Sequence, residues 1–474
     1  MGAGKSTVGA EVAARLGRPF VDLDQQIESR EGLPIAEIFA TRGEPEFRAV
    51  EEGLTCEALG RSELAVLALG GGAVLSERTR GALRERALTV LLEVDPDEAW
   101  NRSAGGERPL AQDEARFRAL YQERGPLYRE TADATARDED GVVLAAAGIH
   151  VGLGALERLG ELVPGEGPLA LVSDVHVAGI YGAQAQLALG ARLQSTHTVP
   201  AGEVAKTLAV CERLWGELAL DRTGAVVALG GGCVTDVAGF AAAAYMRGVD
   251  WIAVPTTLVG QVDAAIGGKT GVDLAGGKNL VGSFHWPART VIDPALLATL
   301  PESERRSGLA EVVKTGLLVG EPLWELPDLE LVRRCAAFKA AVCLRDPRER
   351  GERAILNLGH TFAHALEAAS GYELAHGDAV ALGLQAALRL SVEHLGLDAT
   401  VLEEVERTLA PSRVPVDPDR AWAALGRDKK AIGGSPRLVL LAAPGRPVTG
   451  VELPAEDVRR ALGELVAHRP ISGR

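Results

Sequence analysis

Val227-Ala228-Leu229-Gly230-Gly231-Gly232-Cys233-Val234-Thr235-Asp236 reads as an apolar strand, a glycine turn and the opening of a helix. A strand without polar alternation is one covered on both faces, the mark of a parallel sheet under helices. Glycines at its end let a ligand come close to the backbone, and the helix start presents N–H groups; a dinucleotide pyrophosphate suits such a place. A similar run, Val66-Leu67-Ala68-Leu69-Gly70-Gly71-Gly72, lies in the first third of the chain. The flanks of the two runs differ, so they read as separate solutions to one problem rather than as a repeat.

Outward from this stretch, apolar runs over 169–172 and 251–254 join 225–229 as strands with helical patterns between them. They predict an α/β lobe over 142–295. Beyond Pro301 the apolar positions recur at helical spacing, as in 379–395, which predicts a mostly helical lobe over 296–474. Upstream, a helix over 6–16 alternates with short apolar runs at 19–21, 65–69 and 89–94, so a second parallel sheet is expected within 1–138. The charged stretch 133–140, followed by Val142-Val143-Leu144, places the boundary between the two parts. A chain of 474 residues is long enough for two or three cores.

Composition narrows the function. A formal charge of −15 opposes nonspecific attraction to nucleic acid or an anionic bilayer, and the sequence contains no apolar run of the ~20 residues a membrane-spanning helix needs. Small-molecule substrates are expected, with no nucleic-acid and no membrane partner. The chain opens on a Gly-Lys-Ser-Thr loop rather than a signal peptide, so the expected compartment is the cytoplasm. Cys56, Cys211, Cys233, Cys335 and Cys343 form no C-x-x-C pair and read as reduced thiols.

Gly2-Ala3-Gly4-Lys5-Ser6-Thr7 is the second half of a phosphate-binding loop. Asp22 and Asp24, two apart at a strand end, are expected to point to one face, one suited to a Mg²⁺ ion and the other to a substrate hydroxyl. With Gly43-Glu44-Pro45-Glu46-Phe47-Arg48, Gly70-Gly71-Gly72, Arg108-Pro109-Leu110 and Arg124-Gly125-Pro126-Leu127-Tyr128, the segment resembles shikimate kinase over nearly its whole length. That resemblance implies a P-loop kinase-like parallel sheet domain in which Gly2, Gly4, Lys5, Ser6 and Thr7 hold ATP and Ser6 and Asp22 hold Mg²⁺. It further implies that Asp24, Arg48, Gly70, Gly71, Gly72 and Arg124 hold shikimate. Lys5 and Arg108 would act on the transferring phosphoryl group, Arg108 from a lid over 103–107. A complete loop has a further glycine five residues before Gly4, after a buried strand. Both would fall upstream of Met1, so the chain as it stands is expected to be a poor kinase and an upstream extension a better one.

After the glycine turn come Ala238-Gly239-Phe240, Tyr245-Met246-Arg247-Gly248, Pro255-Thr256-Thr257-Leu258, Gly267-Gly268-Lys269-Thr270-Gly271 and Gly277-Lys278-Asn279. His360 and His364 stand one helical turn apart, His376 precedes Gly377-Asp378, and Glu311 lies in Gly308-Leu309-Ala310-Glu311-Val312-Val313-Lys314. Spacing alone pairs His360 with His364 as metal ligands. The string of motifs resembles 3-dehydroquinate synthase, and the resemblance instead assigns Glu311, His360 and His376 to zinc or cobalt, and His364 to acid–base or substrate contact.

A two-lobed synthase is implied, with an α/β NAD lobe and a helical metal lobe. NAD would lie on Asp174, Glu203, Lys206, Gly230, Gly231, Gly232, Asp236, Thr256, Thr257 and Lys278. Lys269, Lys314, Arg353 and Asn357 would be catalytic with His364, and Arg247, Asp263, Asn279 and Lys339 would hold 3-deoxy-arabino-heptulosonate 7-phosphate. The family usually shows Glu at Asp378 and Asn at Asp273, which puts fine geometry in question. The competing enzyme reading is a metal- and NAD-dependent polyol dehydrogenase, which would accumulate NADH, with a non-catalytic nucleotide-binding segment in front. A homodimer through the synthase half stays open. The two implied reactions are not consecutive, so no channel between them is expected.

Overall fold

The computed structural model describes residues 2–103, 113–411, 414–426 and 436–466. It divides into two compact units, Met1–Ala147 and Gly148–Arg474.

In the first unit the helix Lys5–Leu16 follows Gly4 and stops at Gly17, both in the left-handed region (φ 74° and 59°) that a side chain would resist. Phe20–Asp22 pairs in parallel with Val66–Ala68, and Val90–Leu92 with Ala134–Ala136. Leu23, Ile27, Ile38, Phe47, Leu54 and Ala58 close a core under the first pair. The structure corrects two sequence expectations. Asp22 does end a strand, but Asp24 lies in the first turn of the helix Leu23–Glu31, whose backbone N–H groups at Asp24 and Gln25 donate to Asp22. The two carboxylates meet through a helix cap, not through strand alternation. Val142-Val143-Leu144, read as the opening of the second part, lies in the helix Glu139–Ala146 of the first unit. Three apolar residues fit either element, and the Asp138 cap on Gly141 N–H decides for helix.

The second unit is built on a six-stranded sheet in the order Ile149–Val151, Arg289–Ile292, Asp250–Pro255, Ala225–Gly230, Leu169–Asp174, Leu193–Val199. Every pairing is parallel. Apart from Asp250 the central strands are buried because both faces carry helices: Ala170, Val172, Val226, Ala228 and Ala253 belong to one core, Leu169, Leu171, Val227, Leu229, Ile252 and Val254 to the other. An antiparallel hairpin, Lys269–Leu274 with Gly277–Phe284, follows and packs Val272 and Val281 against the first of these cores.

The helical lobe packs Glu302–Val319, Asp328–Arg345, His360–Ala369 and His376–Leu395 around Val313, Leu317, Phe362, Leu366, Leu382 and Leu388. It also carries a hairpin, Leu438–Ala443 with Arg446–Val451, that the helical periodicity did not announce. Two glycines set helix distances. A Cβ on Gly377 would strike the backbone of Ser307, and one on Gly383 the carbonyl oxygen of Gly359. Among the described residues no helix is long and apolar enough to cross a membrane.

Candidate functional site

Glu311 sits mid-helix in Glu302–Val319, while His360 and His376 are the first residues of their helices. One ligand atom from each lies within 4.8 Å of the others, the group of this kind found among the described residues. His360 Nε2 is 3.4 Å and His376 Nε2 3.2 Å from Glu311 Oε1. Burial would raise the Glu311 carboxyl, but Lys314, in contact with Oε2, and the two imidazoles outweigh it and hold it well below the usual range. Burial would likewise lower His376, yet Glu311 and Glu367 push the ring up to about 10. A pocket that favours positive charge this strongly, with one carboxylate and two imidazole donors, fits a divalent metal of the zinc type. His364, the partner that spacing alone suggests, stands edge-on to His360 at 5.6 Å between ring centroids and is exposed.

Lys314 also reaches Asp263 Oδ1 at 3.4 Å, and Lys339 donates to the same oxygen at 2.8 Å and to the Asp263 carbonyl at 2.7 Å. Burial opposes ionisation of Asp263, but the two ammonium groups pull its carboxyl down to about 2. Asp263 is carried by a π turn, Gly260–Ala264, a local widening often found at sites of function. Lys269 pairs with Glu349 at 2.5 Å, and Asn357 Nδ2 donates to the other oxygen of Glu349 at 3.2 Å. Burial lowers the Lys269 ammonium, Glu349 opposes this, and Arg353 and Lys339 lower it further. Arg353, 2% exposed, donates from Nη1 to the Gly267 and Pro347 carbonyls while its buried Nε lacks a hydrogen-bond partner. Arg247 is exposed in a left-handed pair with Met246 (φ 70° and 50°).

At the glycine turn, Gly230 ends its strand and Gly232 opens the helix Gly232–Ala244. A Cβ on Gly230 would come within 2.6 Å of Val234, and one on Gly231 within 2.9 Å of Thr257, so the protein's own packing requires the smallest residue. Thr256 N–H donates to the Gly230 carbonyl and Thr257 Oγ1 accepts from Gly260. Lys206, buried, gathers Asp236 at 2.9 Å, Glu203 at 3.4 Å and Asn279 Oδ1 at 2.6 Å. Its ammonium is held well above the usual range despite burial, whereas for Asp236 burial outweighs Lys206 and raises the carboxyl to about 6. Both statements hold together because the lysine draws on several partners and the aspartate on one cation. Lys278 lies 3.7 Å from Glu203 and over the Tyr372 ring. Asp174 caps the next helix through His176 and Val177 N–H.

In the first unit Gly2, Gly4, Lys5, Ser6, Thr7, Asp22 and Asp24 line one cavity. Ser6 Oγ donates to Asp22 Oδ2 at 2.5 Å. Arg48 pairs with Glu51 at 2.6 Å and with Glu44. Gly70 leaves room for Glu51 and Asp24, and Gly72 for the Arg48 guanidinium. Arg124 and Tyr128 both donate to the Gly71 carbonyl. Arg108 lies outside the described residues. Sequence reasoning missed Glu51, Glu349 and Glu367. Glu367 had a signal, since it lies seven residues after His360 on one helix face; Glu349, in a turn at φ 53°, had none.

A parallel-sheet lobe ending in a glycine turn, joined to a helical lobe with a Glu-His-His centre and a lysine cluster, defines a two-lobed metal-site enzyme class. Residues 196–307 and 308–431 match the families described as 3-dehydroquinate synthase N-terminal and C-terminal, and residues 1–147 match shikimate kinase. The 3-dehydroquinate synthase of Symbiobacterium thermophilum is 41% identical over 348 residues, 67% of this chain and 97% of that protein. The one from Gloeobacter violaceus is 46% identical over 344 residues, 66% and 94% of the two chains. Among solved structures, 2-epi-5-epi-valiolone synthase (ValA) from Streptomyces hygroscopicus subsp. jinggangensis with NAD+ and Zn2+ bound is 28% identical at TM-score 0.61, covering 67% of this chain and 96% of that one. The chain belongs to the 3-dehydroquinate synthase family, with a shikimate kinase domain ahead of the synthase.

Proposed function

We propose that the second unit converts 3-deoxy-arabino-heptulosonate 7-phosphate to 3-dehydroquinate and phosphate, and that the first transfers the terminal phosphoryl group of ATP to shikimate. The observation that carries the synthase reading is Lys314, which touches both Glu311 of the metal-type centre and Asp263 of the lysine cluster. A hydroxyl at the centre and an anionic phosphate at the cluster would thus sit on one substrate. Family membership favours this over the polyol dehydrogenase, which has no use for a phosphate-binding cluster.

Glu311, His360 and His376 would hold zinc or cobalt, which supplies a Lewis acid to the substrate hydroxyl. NAD, on the glycine turn with Asp174, Glu203, Lys206, Asp236, Thr256, Thr257 and Lys278, supplies a hydride acceptor that is regenerated each turnover. Lys269, Lys339, Arg353, Asn279, Asn357 and Arg247 would hold carboxylate and phosphate by charge-assisted hydrogen bonds. Asp263 orders the lysines, and His364 would exchange protons with the substrate.

In the first unit Gly2, Gly4, Lys5 and Thr7 would cradle phosphate. The Ser6–Asp22 pair would hold Mg²⁺, Asp24, Arg48 and Arg124 shikimate, with Gly70 to Gly72 lining the pocket and Arg108 closing on the phosphoryl group. A cytoplasmic location belongs to this reading, as expected for enzymes acting on small soluble metabolites. A homodimer through the second unit belongs to the same reading.

The test is to give purified protein each substrate and follow phosphate, ADP and NADH. Phosphate should appear without net NADH, stop after dialysis against a chelator and return with zinc or cobalt. Accumulating NADH, or full phosphate release by verified metal-free protein, would overturn the synthase reading. ADP that forms as fast without shikimate as with it, or a first unit that binds neither ATP nor shikimate, would overturn the kinase reading.

A further inference from the structure

The two imidazoles of the Glu-His-His centre present the same atom. His360 Nε2 and His376 Nε2 both face Glu311 Oε1, at 3.4 and 3.2 Å. Two donors can converge this way only if each ring is prevented from turning, and a ring is fixed by what its other nitrogen binds. For His360 that partner is the Leu358 carbonyl, 3.2 Å from Nδ1 and only two residues away, so the helix start itself holds the ring. His376 has no such local partner. It is also the more exposed of the two rings, 38% against 12%, and has more freedom to lose. Its Nδ1 meets Glu367 Oε1 at 3.3 Å, a carboxylate nine residues earlier and only 5% exposed.

Glu367 is set to do this by its own helix. It follows His360 by seven residues on His360–Ala369, two turns along the same face. Its backbone carbonyl accepts from Tyr372 N–H at 2.7 Å and from Ser370 Oγ at 2.8 Å, and Ser370 Oγ accepts from Leu374 N–H. That turn returns the chain to His376. The main chain of Glu367 therefore fixes where His376 begins, and its side chain fixes how the ring faces. A substitution removes the second function and leaves the first. Lys278 Nζ, 4.0 Å from Glu367 Oε1, offsets part of the charge that burial makes costly.

We propose that Glu367 is the positioning residue of the metal centre: it accepts the Nδ1 hydrogen of His376, so that Nε2 carries the lone pair toward the ion. The inference rests on the reading that Glu311, His360 and His376 hold the metal. Glu367 itself touches neither metal nor substrate.

The experiment uses the full chain, stripped of metal, with zinc affinity measured by competition against a chromophoric chelator and the visible spectrum recorded with cobalt. An outer partner of this kind is worth about 10- to 100-fold in metal affinity. Glu367→Gln keeps an acceptor but not the charge and should weaken zinc binding about tenfold; Glu367→Ala should approach a hundredfold. Both should change the cobalt bands while leaving the far-ultraviolet dichroism and the cobalt-free melting curve near those of the parent, effects that a merely structural role would not separate. Parent affinity and parent cobalt bands in both variants would overturn the proposal, and so would a loss of affinity that simply follows a loss of fold. His360→Ala separates this from the reading beneath it. If the parent binds one ion that His360→Ala loses, failure of the Glu367 variants to weaken it refutes the positioning role alone; if His360→Ala binds like the parent, the metal reading falls and the proposal with it.

Discussion

A lysine that is 1% exposed and lies between Glu311 and Asp263, Lys314 neutralises charge that burial would otherwise make costly. Breaking a buried ion pair from one side costs about 3–5 kcal/mol because the remaining charge keeps its desolvation penalty. Lys314→Met should therefore lower the unfolding free energy of the second unit by that order in metal-free protein, and by less with zinc, since a second cation would reach the same carboxylate; an equal loss with and without zinc would argue against metal at Glu311. Lys269 is the opposite case. Its side chain is 48% exposed and its pair with Glu349 adds little to stability. Lys269→Ala should cost about 100-fold in kcat/KM, the scale of a lost electrostatic contact to the reacting group, with an almost unchanged melting temperature; a large fall in melting temperature at normal turnover contradicts this. Asp236 gives a pH test. Its folded-state carboxyl, raised by burial to about 6 against Lys206, binds a proton more tightly than in the unfolded chain. Its stabilising contribution is complete below the unfolded value near 3.8 and is lost as pH rises through about 6. Relative to Asp236→Asn, the parent should lose on the order of 1 kcal/mol between pH 5 and 7.5; a parent that gains stability over that interval would falsify the assignment.

Between elements, glycines set the distances on which the candidate centre depends. Gly377 brings His376–Leu395 against Ser307 of the Glu311 helix, and Gly383 brings it against the Gly359 carbonyl just before His360. Gly383→Ala should cost about 1–3 kcal/mol by overpacking and weaken zinc binding as well. Gly216→Ala, in a helix with open space around the new methyl, should instead add roughly 0.4–1 kcal/mol, since the unfolded chain loses freedom. Paired melting curves decide this, and equal effects at the two positions would refute it. The same contrast explains what the sequence disclosed. The strands Leu169–Asp174, Ala225–Gly230 and Asp250–Pro255 and the helix His376–Leu395 were legible because apolar period is a local property. The candidate ligand set needed resemblance as well, because spacing on one helix favours His360 with His364, whereas Glu311 and His376 come from other helices. The partners of that set were hidden for the same reason. Glu349 reaches Lys269 across 80 positions, and nothing near either residue announces it. Gly230 and Gly231 read as room for a ligand; the structure adds that Val234 and Thr257 pack where a Cβ on either glycine would lie, so the protein's own packing asks for glycine as well.

Across the whole molecule, each core described lies inside one unit: Leu23 to Ala58 in the first, and the sheet and helical cores in the second. Cores of that kind support separate folding. The synthase relatives point the same way, since two thirds of this chain covers 94–97% of their length. The chemistry gives no reason for the two activities to depend on each other. The product of the proposed synthase, 3-dehydroquinate, must lose water and gain two hydrogens before it becomes shikimate, the proposed substrate of the kinase, so nothing passes directly between the sites. The expected advantage of the fusion is equal supply of two enzymes, not transfer between them. Residues 148–474 expressed alone should then release phosphate with kcat and KM within about twofold of the full chain, and the same zinc dependence. Adding shikimate, ATP and Mg²⁺ should leave that rate unchanged in the full chain. A synthase segment that folds, binds zinc and yet turns over tenfold more slowly than the full chain, or a full chain whose phosphate release responds to shikimate and ATP, would show that the first unit regulates the second and that the independence argued from the cores is wrong.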